Sequence, residues 1–517
     1  MRRSRSQRRG SIDGARAAAA LLVLFAACGG ERPAGLALHL RVLSTHDVHG
    51  ALSPAVYGWS EGERVGGMAA LETVMDGLEG ECGCPTLRVD GGDQMQGTLE
   101  SNLTRGEAMV AAFNRIGLDA AAVGNHDLDW GVETLRARQR QARYPWLAAN
   151  VFRRADGERP EWARPFAVVE KDGVRVGIVG YTTVRTPSAS FPEVGERYEF
   201  RSGYASLRDA LLGVARQSPD FVVLVAHAEG ECRKRRCSGE AVELAAGLPP
   251  GAVDLIVGGH EHYPGEGVVQ GIPIVRAGSE GQAVGVTDLY RRADGTRSFT
   301  IGRREVLADA VEPDPGMTAL LEPYRRAAEA LGNERVTTLT ERLSRSASGD
   351  RRLGKLVAEA IRRAAGADFG IQNPGGTRAD LPAGPVTYAD VYRVLPFGNA
   401  IARVTLTGAE LRRVVEQAGP RFYLANLHAE FGERPGTGAR TAQLRFPDGA
   451  PVEAGRTYVL AAPDFVAEGG DGLQALAALP REGTGTLVLD AVLDHLRALP
   501  APVVLPVERE RPSRGRE

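Results

Sequence analysis

Charge of either sign is not in excess. The chain has 517 residues, a formal net charge of −2 and no basic stripe, which excludes a protein built around nucleic-acid contact. Long apolar runs are missing as well: the N-terminal apolar stretch, residues 17–27, is too short to span a bilayer. Aromatic residues are scarce at 6% of the chain, so aromatics placed in loops are harder to dismiss as core packing. There are only five cysteines, and none falls in the motifs that carry chemistry. There are no internal repeats. What remains is ordinary globular composition, 43% apolar and 25% charged, at a length that favours two or more domains.

The N-terminus stands apart. Arg2, Arg3, Arg5, Arg8 and Arg9 form a cationic region ahead of the apolar stretch, which ends in Phe25-Ala26-Ala27-Cys28-Gly29-Gly30. This resembles a bacterial export signal over residues 1–27 ending in a lipobox, with Cys28 as the lipidated first mature residue. A plain signal peptide with a chance cysteine is the competing reading. Cleavage there removes six arginines and one aspartate and takes the formal charge from −2 to −7, which argues further against nucleic acid or anionic lipid as the main partner. Cys82, Cys84, Cys232 and Cys237 remain, an even number that suggests disulfides in an exported chain. Cys232 with Cys237 closes a short loop. Cys82-Gly83-Cys84 can close a tight ring, or the two sites can cross-link. Neither spacing is the two-residue gap usual for zinc.

Five motifs follow apolar, β-prone runs at residues 36–43, 86–89, 120–123, 221–225 and 253–257. They are Asp47-Val48-His49, Gly91-Gly92-Asp93, Gly124-Asn125-His126-Asp127, His227 and Gly259-His260-Glu261-His262. Helical patterns at 67–78, 106–116 and 132–143 alternate with the strands, which predicts an α/β layered domain. Ligands at strand ends are what a metal site on an open sheet needs, because a rigid sheet brings distant residues to one crevice. Taken alone, each motif has a bland reading: an Asp after Gly-Gly as a helix cap, His227 as a core histidine. Together they hold six of the nine histidines, counting His46. Carboxylate, amide oxygen and imidazole without thiolate suit a catalytic divalent cation.

This ordered set resembles the calcineurin-like metallophosphoesterase superfamily, and with its long second half the chain resembles the 5′-nucleotidase family. The resemblance implies a four-layer αββα metallophosphoesterase sandwich (residues 36–311), a helical linker (312–332) and a C-terminal α/β nucleotide-binding domain (333–506), followed by a disordered tail (507–517). It implies two divalent ions, zinc, manganese or similar, with Asp47, His49 and His262 on one, Asn125, His227 and His260 on the other, and Asp93 shared. A shared anion offsets the repulsion between two cations. His126 is the non-ligand in its motif and is expected to act on the transferring phosphoryl group or the leaving oxygen, oriented by Asp129. Asp127 stands where Glu is common, and His46 where Asn is common.

The second half carries Asn373-Pro374-Gly375-Gly376-Thr377-Arg378, Leu395-Pro396-Phe397-Gly398-Asn399 and the stretch from Asp464-Phe465 to Gly470-Asp471-Gly472, which resemble further elements of that family. They imply that Phe397 and Phe465 sandwich a nucleobase, that Asp471 and Asn399 contact ribose or base, and that Arg378 holds the phosphate, with Asn373 beside them. Planar bases do stack on aromatic faces, and guanidinium meets phosphate bidentately. Arg345 and Arg351 are candidates for further arginines of the family. The expected partner is therefore a nucleotide, and the expected location is the periplasm or cell envelope with a lipid anchor at Cys28. The expected activity is metal-dependent hydrolysis of nucleoside 5′-monophosphates. Alternatives are a phosphodiesterase for UDP-sugars or 2′,3′-cyclic nucleotides, and a non-catalytic nucleotide-binding surface lipoprotein. Metals and stacking residues belong to different domains, so closure about the linker is expected.

Overall fold

A computed structural model describes residues 36–505, apart from 191, 234–235, 347–349 and 435. The export segment 1–27, Cys28 and the tail 507–517 lie outside the described residues. Among the described residues no helix is long and apolar enough to cross a membrane.

The first half is built on two six-stranded sheets. In one, Leu36–Thr45 lies at the centre, parallel to Thr86–Asp90 and antiparallel to Ala283–Arg292. In the other, Phe221–His227 lies between Val174–Thr182 and Leu255–Val257, parallel to both. Central strands of this kind are buried on both faces, so they read as continuous apolar runs. Leu40, Val42, Leu87 and Val89 of one sheet pack against Ile178, Val223, Val225 and Val257 of the other. Helices Met68–Cys82 and Glu107–Ile116 cover the first sheet, and Gly203–Ala215 and Glu240–Gly247 cover the second. The result is the expected four-layer αββα sandwich.

The second half has one mixed five-stranded sheet with Thr457–Pro463 at its centre. Arg352–Ala364 and Val488–Ala498 pack on one face, Gly408–Ala418 on the other. Helix Gly408–Ala418 begins where it does because Thr407 and Glu410 form a reciprocal capping box. Between the halves runs helix Pro315–Gly332, started by the Asp314 side chain, which accepts from the Met317 amide, and by Pro315 in the first turn. Met317 and Leu321 bury this helix in the first core.

The antiparallel pair Ala283–Arg292 and Arg297–Glu305 has no counterpart in the sequence reading. The second of these strands is an edge strand, exposed at most positions, and carries little apolar signal. The cysteines pair locally, Cys82 with Cys84 and Cys232 with Cys237, and the cross-linked alternative does not form.

Asp288, in strand Ala283–Arg292, clamps the sheet from the side. It accepts from Arg41 Nε (2.9 Å) and Nη2 (2.8 Å), and His39 Nε2 lies 3.1 Å away. Burial alone would raise its carboxyl, but these donors outweigh burial and hold it at about 2, below the ordinary 3.8. A depressed carboxylate stabilises the fold above its unfolded value and loses that contribution as pH falls through the folded one. Asp288→Asn is therefore expected to unfold at lower denaturant than the parent at neutral pH. The gap should close between about pH 4 and about pH 2. Equal midpoints at neutral pH would overturn this.

Candidate active site

All five motif loops leave the carboxyl ends of strands, and both sheets contribute. The loops are tied together through their backbones. The amides of Asp47, His49 and Gly50 donate to the carbonyls of Gly92, Asp93 and Gln94 at 2.8, 3.0 and 2.9 Å. The Asp127 carboxylate accepts from the amides of Asp93 (3.1 Å), Gln94 (3.1 Å) and Gly124 (2.9 Å) and so ties the second loop to the third. Burial, and then the nearby Asp93, push the Asp127 carboxyl up to about 7. A side chain at Gly124 would collide with the Asp93 carboxylate, so the third loop needs glycine there. Asp47, His49, Asp93 and His260 all sit at left-handed φ of 49°, 49°, 57° and 71°. Non-glycine residues rarely adopt that conformation, and such strain concentrates at functional sites.

The side chains converge in two groups. In the first, His49 Nε2 and His262 Nε2 lie 3.1 Å apart, each 3.7 Å from Asp47 Oδ1. That oxygen is buried and has no hydrogen-bond partner. In the second, His227 Nε2 lies 3.1 Å from Asp93 Oδ2 and 3.0 Å from Asn125 Oδ1, and His260 Nδ1 lies 3.0 Å from the same amide oxygen. Asp93 Oδ2 is also 3.8 Å from His49 Nε2, so this carboxylate stands between the groups. The predicted seven ligands are thus brought together, around an orphaned carboxylate oxygen and facing ring nitrogens, which is the donor set a divalent cation takes.

Second contacts fix which nitrogens face inward. His49 Nδ1 donates to the Gln96 carbonyl (2.7 Å) and His227 Nδ1 to the Gly91 carbonyl (2.9 Å), so Nε2 is the inward atom in both. Burial lowers His49 to about 4 and His260 to about 3, and it lowers His262 as well, leaving neutral imidazoles whose lone pairs are free to ligate. Burial would lower His227 too, but Asp93 and Asp47 outweigh it and raise it to about 10. Burial raises Asp47 and Asp93, yet their histidine neighbours hold both well below the carboxylate range.

His126 stands apart from the ligands. Its Nδ1 lies 2.8 Å from Asp129 Oδ2. Burial lowers the imidazole, but Asp129 and Asp93 outweigh burial and raise it. Its ring stacks on Phe397 from the second half at 5.3 Å and 28°. Asn373, Arg378, Phe397, Asn399, Phe465 and Asp471 all line one cavity of about 250 Å³ together with Asp93, Asn125, His126 and Asp129. Arg378 Nη2 lies 3.0 Å from His262 Nε2, and Asn373 Nδ2 donates to Asp471 Oδ2 at 2.6 Å.

Arg345 does not line that cavity. Its Nη1 donates to the Arg378 carbonyl (2.9 Å), and the residue lines a larger neighbouring cavity of about 990 Å³. Arg351 lines neither: its guanidinium stacks on Tyr423 at 4.8 Å and donates to the Phe422 carbonyl at 2.6 Å.

Several contributors lie beyond the sequence reading. His46 Nδ1 lies 2.6 Å from Asp47 Oδ2, while its Nε2 accepts from the Gly278 amide at 2.9 Å. The amide leaves the ring proton on Nδ1, so His46 donates to Asp47 and orients it. Gln96 and Asn102 of the first half both donate to the Pro396 carbonyl, at 3.1 and 3.0 Å, and hold the Phe397 loop in place. Its place beside Asp47, where Asn is common in the family it resembles, is the sequence signal for His46, and there is none for the other two.

A family model described as 5′-nucleotidase, C-terminal domain, matches residues 332–478, and one described as bacterial capsule synthesis protein PGA_cap matches residues 78–278. Protein UshA of Yersinia enterocolitica is 28% identical over 497 residues, covering 85% of this chain and 87% of that protein. A 5′-nucleotidase of Vibrio parahaemolyticus is 28% identical over 540 residues, covering 93% of each. The crystal structure of a 5′-nucleotidase precursor from Thermus thermophilus superposes with a TM-score of 0.78 at 28% identity, covering 89% of this chain and 96% of that one. The chain is thus similar to 5′-nucleotidases along most of its length. It is a hydrolase, and its two-domain α/β fold is that of the family. Asp127, at the position where Glu is common, reaches three backbone amides, and His46, where Asn is common, donates to the neighbouring Asp47.

Proposed function

We propose that the chain is an exported phosphohydrolase with two divalent metal ions that cleaves nucleoside 5′-monophosphates to nucleoside and phosphate. One observation carries this reading. The residues of the proposed base clamp line the same cavity as His126 and four of the seven clustered residues, Asp93, Asn125, His260 and His262. Asp47, His49 and His262 would hold one ion, and Asn125, His227 and His260 the other, with Asp93 between. Zinc, manganese or a similar pair supplies charge neutralisation for the phosphoryl group and an activated water. Arg378 holds the phosphate. Phe397 and Phe465 stack the base, and Asn373, Asn399 and Asp471 contact the nucleoside. His126, oriented by Asp129, protonates the leaving 5′-oxygen or steadies the transferring group. Residues 36–311 carry the metals and 333–506 the clamp, joined through 312–332. Cys28 anchors the mature chain to the cell envelope.

The second reading, a phosphodiesterase for UDP-sugars or 2′,3′-cyclic nucleotides, draws on the cavity of about 990 Å³ beyond Arg378 and His262, which has room for a second half of a diester. The test compares AMP, UDP-glucose, cyclic AMP and an aryl phosphate with residues 29–517, Mn²⁺ or Zn²⁺, and a chelator. AMP is expected to exceed the aryl phosphate in kcat/KM by about 5- to 150-fold, the worth of about 1–3 kcal/mol of stacking. Turnover that survives the chelator, or equal rates on those two substrates, would refute the proposal. UDP-glucose ahead of AMP would favour the diesterase.

A further inference from the structure

A separate set of convergent donors lies near the start of strand Leu36–Thr45, at the opposite end from the active site. His39 turns its Nε2 toward Cys84 Sγ (3.8 Å), Cys82 Sγ (3.9 Å) and Asp288 Oδ1 (3.1 Å). Its ring is set by stacking on Tyr290 at 4.5 Å and 24°. The four donor atoms all lie within 4.8 Å of one another. They come from three elements: the strand holding His39, the end of helix Met68–Cys82 with the turn after it, and strand Ala283–Arg292. Tetrahedral zinc with bonds of about 2.0–2.3 Å has edges of roughly 3.3–3.8 Å. The nitrogen-to-sulfur separations of 3.8 and 3.9 Å and the nitrogen-to-oxygen separation of 3.1 Å lie within about 0.2 Å of that range. The two sulfurs do not, because they are bonded to each other. Arg41 grips both oxygens of Asp288, the outer contact that orients a ligating carboxylate. Among the described residues Cys232 and Cys237 belong to no such group.

We propose that Cys82 and Cys84 form a redox-gated zinc site: a disulfide when oxidised, and with His39 Nε2 and Asp288 Oδ1 a four-ligand Zn²⁺ site when reduced. An external dithiol supplies two electrons and two protons and is itself oxidised to a disulfide. The Cys82–Cys84 bond opens to two thiols. Zn²⁺ then displaces both thiol protons and binds two thiolates, a neutral imidazole and a carboxylate. In either state the end of helix Met68–Cys82 stays fastened: to the turn before strand Thr86–Asp90 by the disulfide, and to the sheet by the metal.

Cobalt separates this site from the active site, because the seven active-site ligands include no sulfur. The mature chain is reduced with a phosphine, desalted without oxygen and titrated with Co²⁺. Thiolate-to-cobalt absorption in the near ultraviolet should appear after reduction, not before it, with an amplitude of one thiolate-bound Co²⁺ per chain beyond the ions taken by the active site, and Zn²⁺ should abolish it. It should persist in Cys232→Ser/Cys237→Ser and vanish in Cys82→Ser/Cys84→Ser. His39→Ala, which keeps both cysteines and so guards against a merely unfolded variant, should weaken Co²⁺ binding by at least about tenfold. No absorption after reduction, absorption unchanged in His39→Ala, or absorption lost with Cys232→Ser/Cys237→Ser would overturn the proposal.

Discussion

Asp93→Asn is expected to leave the chain folded, to lower bound metal from two equivalents per chain to one or fewer, and to cut nucleotide hydrolysis by more than about 10³-fold, or roughly 4 kcal/mol of barrier. The Asp93 carboxylate is 1% exposed and faces both ligand groups, 3.1 Å from His227 Nε2 and 3.8 Å from His49 Nε2. Its other oxygen accepts from the His126 amide at 2.7 Å, so the residue also sets the third loop. Asparagine keeps the size and an oxygen for that amide but removes the charge that lets two cations sit together. Elemental analysis and circular dichroism on the same sample decide the matter. Two equivalents of metal with unchanged turnover would remove Asp93 from the shared position.

His126→Ala is expected to lower kcat on AMP by about 10²–10⁴-fold, the usual worth of a positioned acid. Metal content should not change, since no ligand is lost. The Asp129 contact leaves a proton on Nδ1 and raises the imidazole, so the ring is charged over a wider pH range than a free histidine. Such a group helps most where the leaving oxygen is basic. On a nitrophenyl phosphate, whose leaving group needs no proton, the same variant should lose distinctly less. An equal loss on both substrates would assign His126 to the phosphoryl group and not to the leaving oxygen. Loss of metal in the variant would overturn its place outside the ligand set.

The convergence of the five motif loops is legible because each follows an apolar strand and because six of nine histidines, counting His46, lie in or beside them. Strand and helix placement at Phe369–Gln372 and Gly408–Ala418 is legible for local reasons, an apolar run in one case and a capping box in the other. What escapes depends on residues far apart in the chain. The grip of Gln96 on the Pro396 carbonyl spans 300 positions, and the Gly278 amide that sets the His46 tautomer lies 232 positions away. No periodicity records such bonds. Arg351 is the opposite case: it reads from the sequence as a candidate substrate contact, and its stacking on Tyr423 is a tertiary contact with no sequence mark.

The left-handed backbone at Asp47, His49, Asp93 and His260 sets durability against activity. Each such residue costs roughly 1–3 kcal/mol relative to a relaxed conformation, and glycine is the one substitution that relieves it. Glycine at any of the four would ease the backbone and strip a side chain from the cluster, so two carboxylates and two imidazoles there put side-chain chemistry ahead of backbone ease.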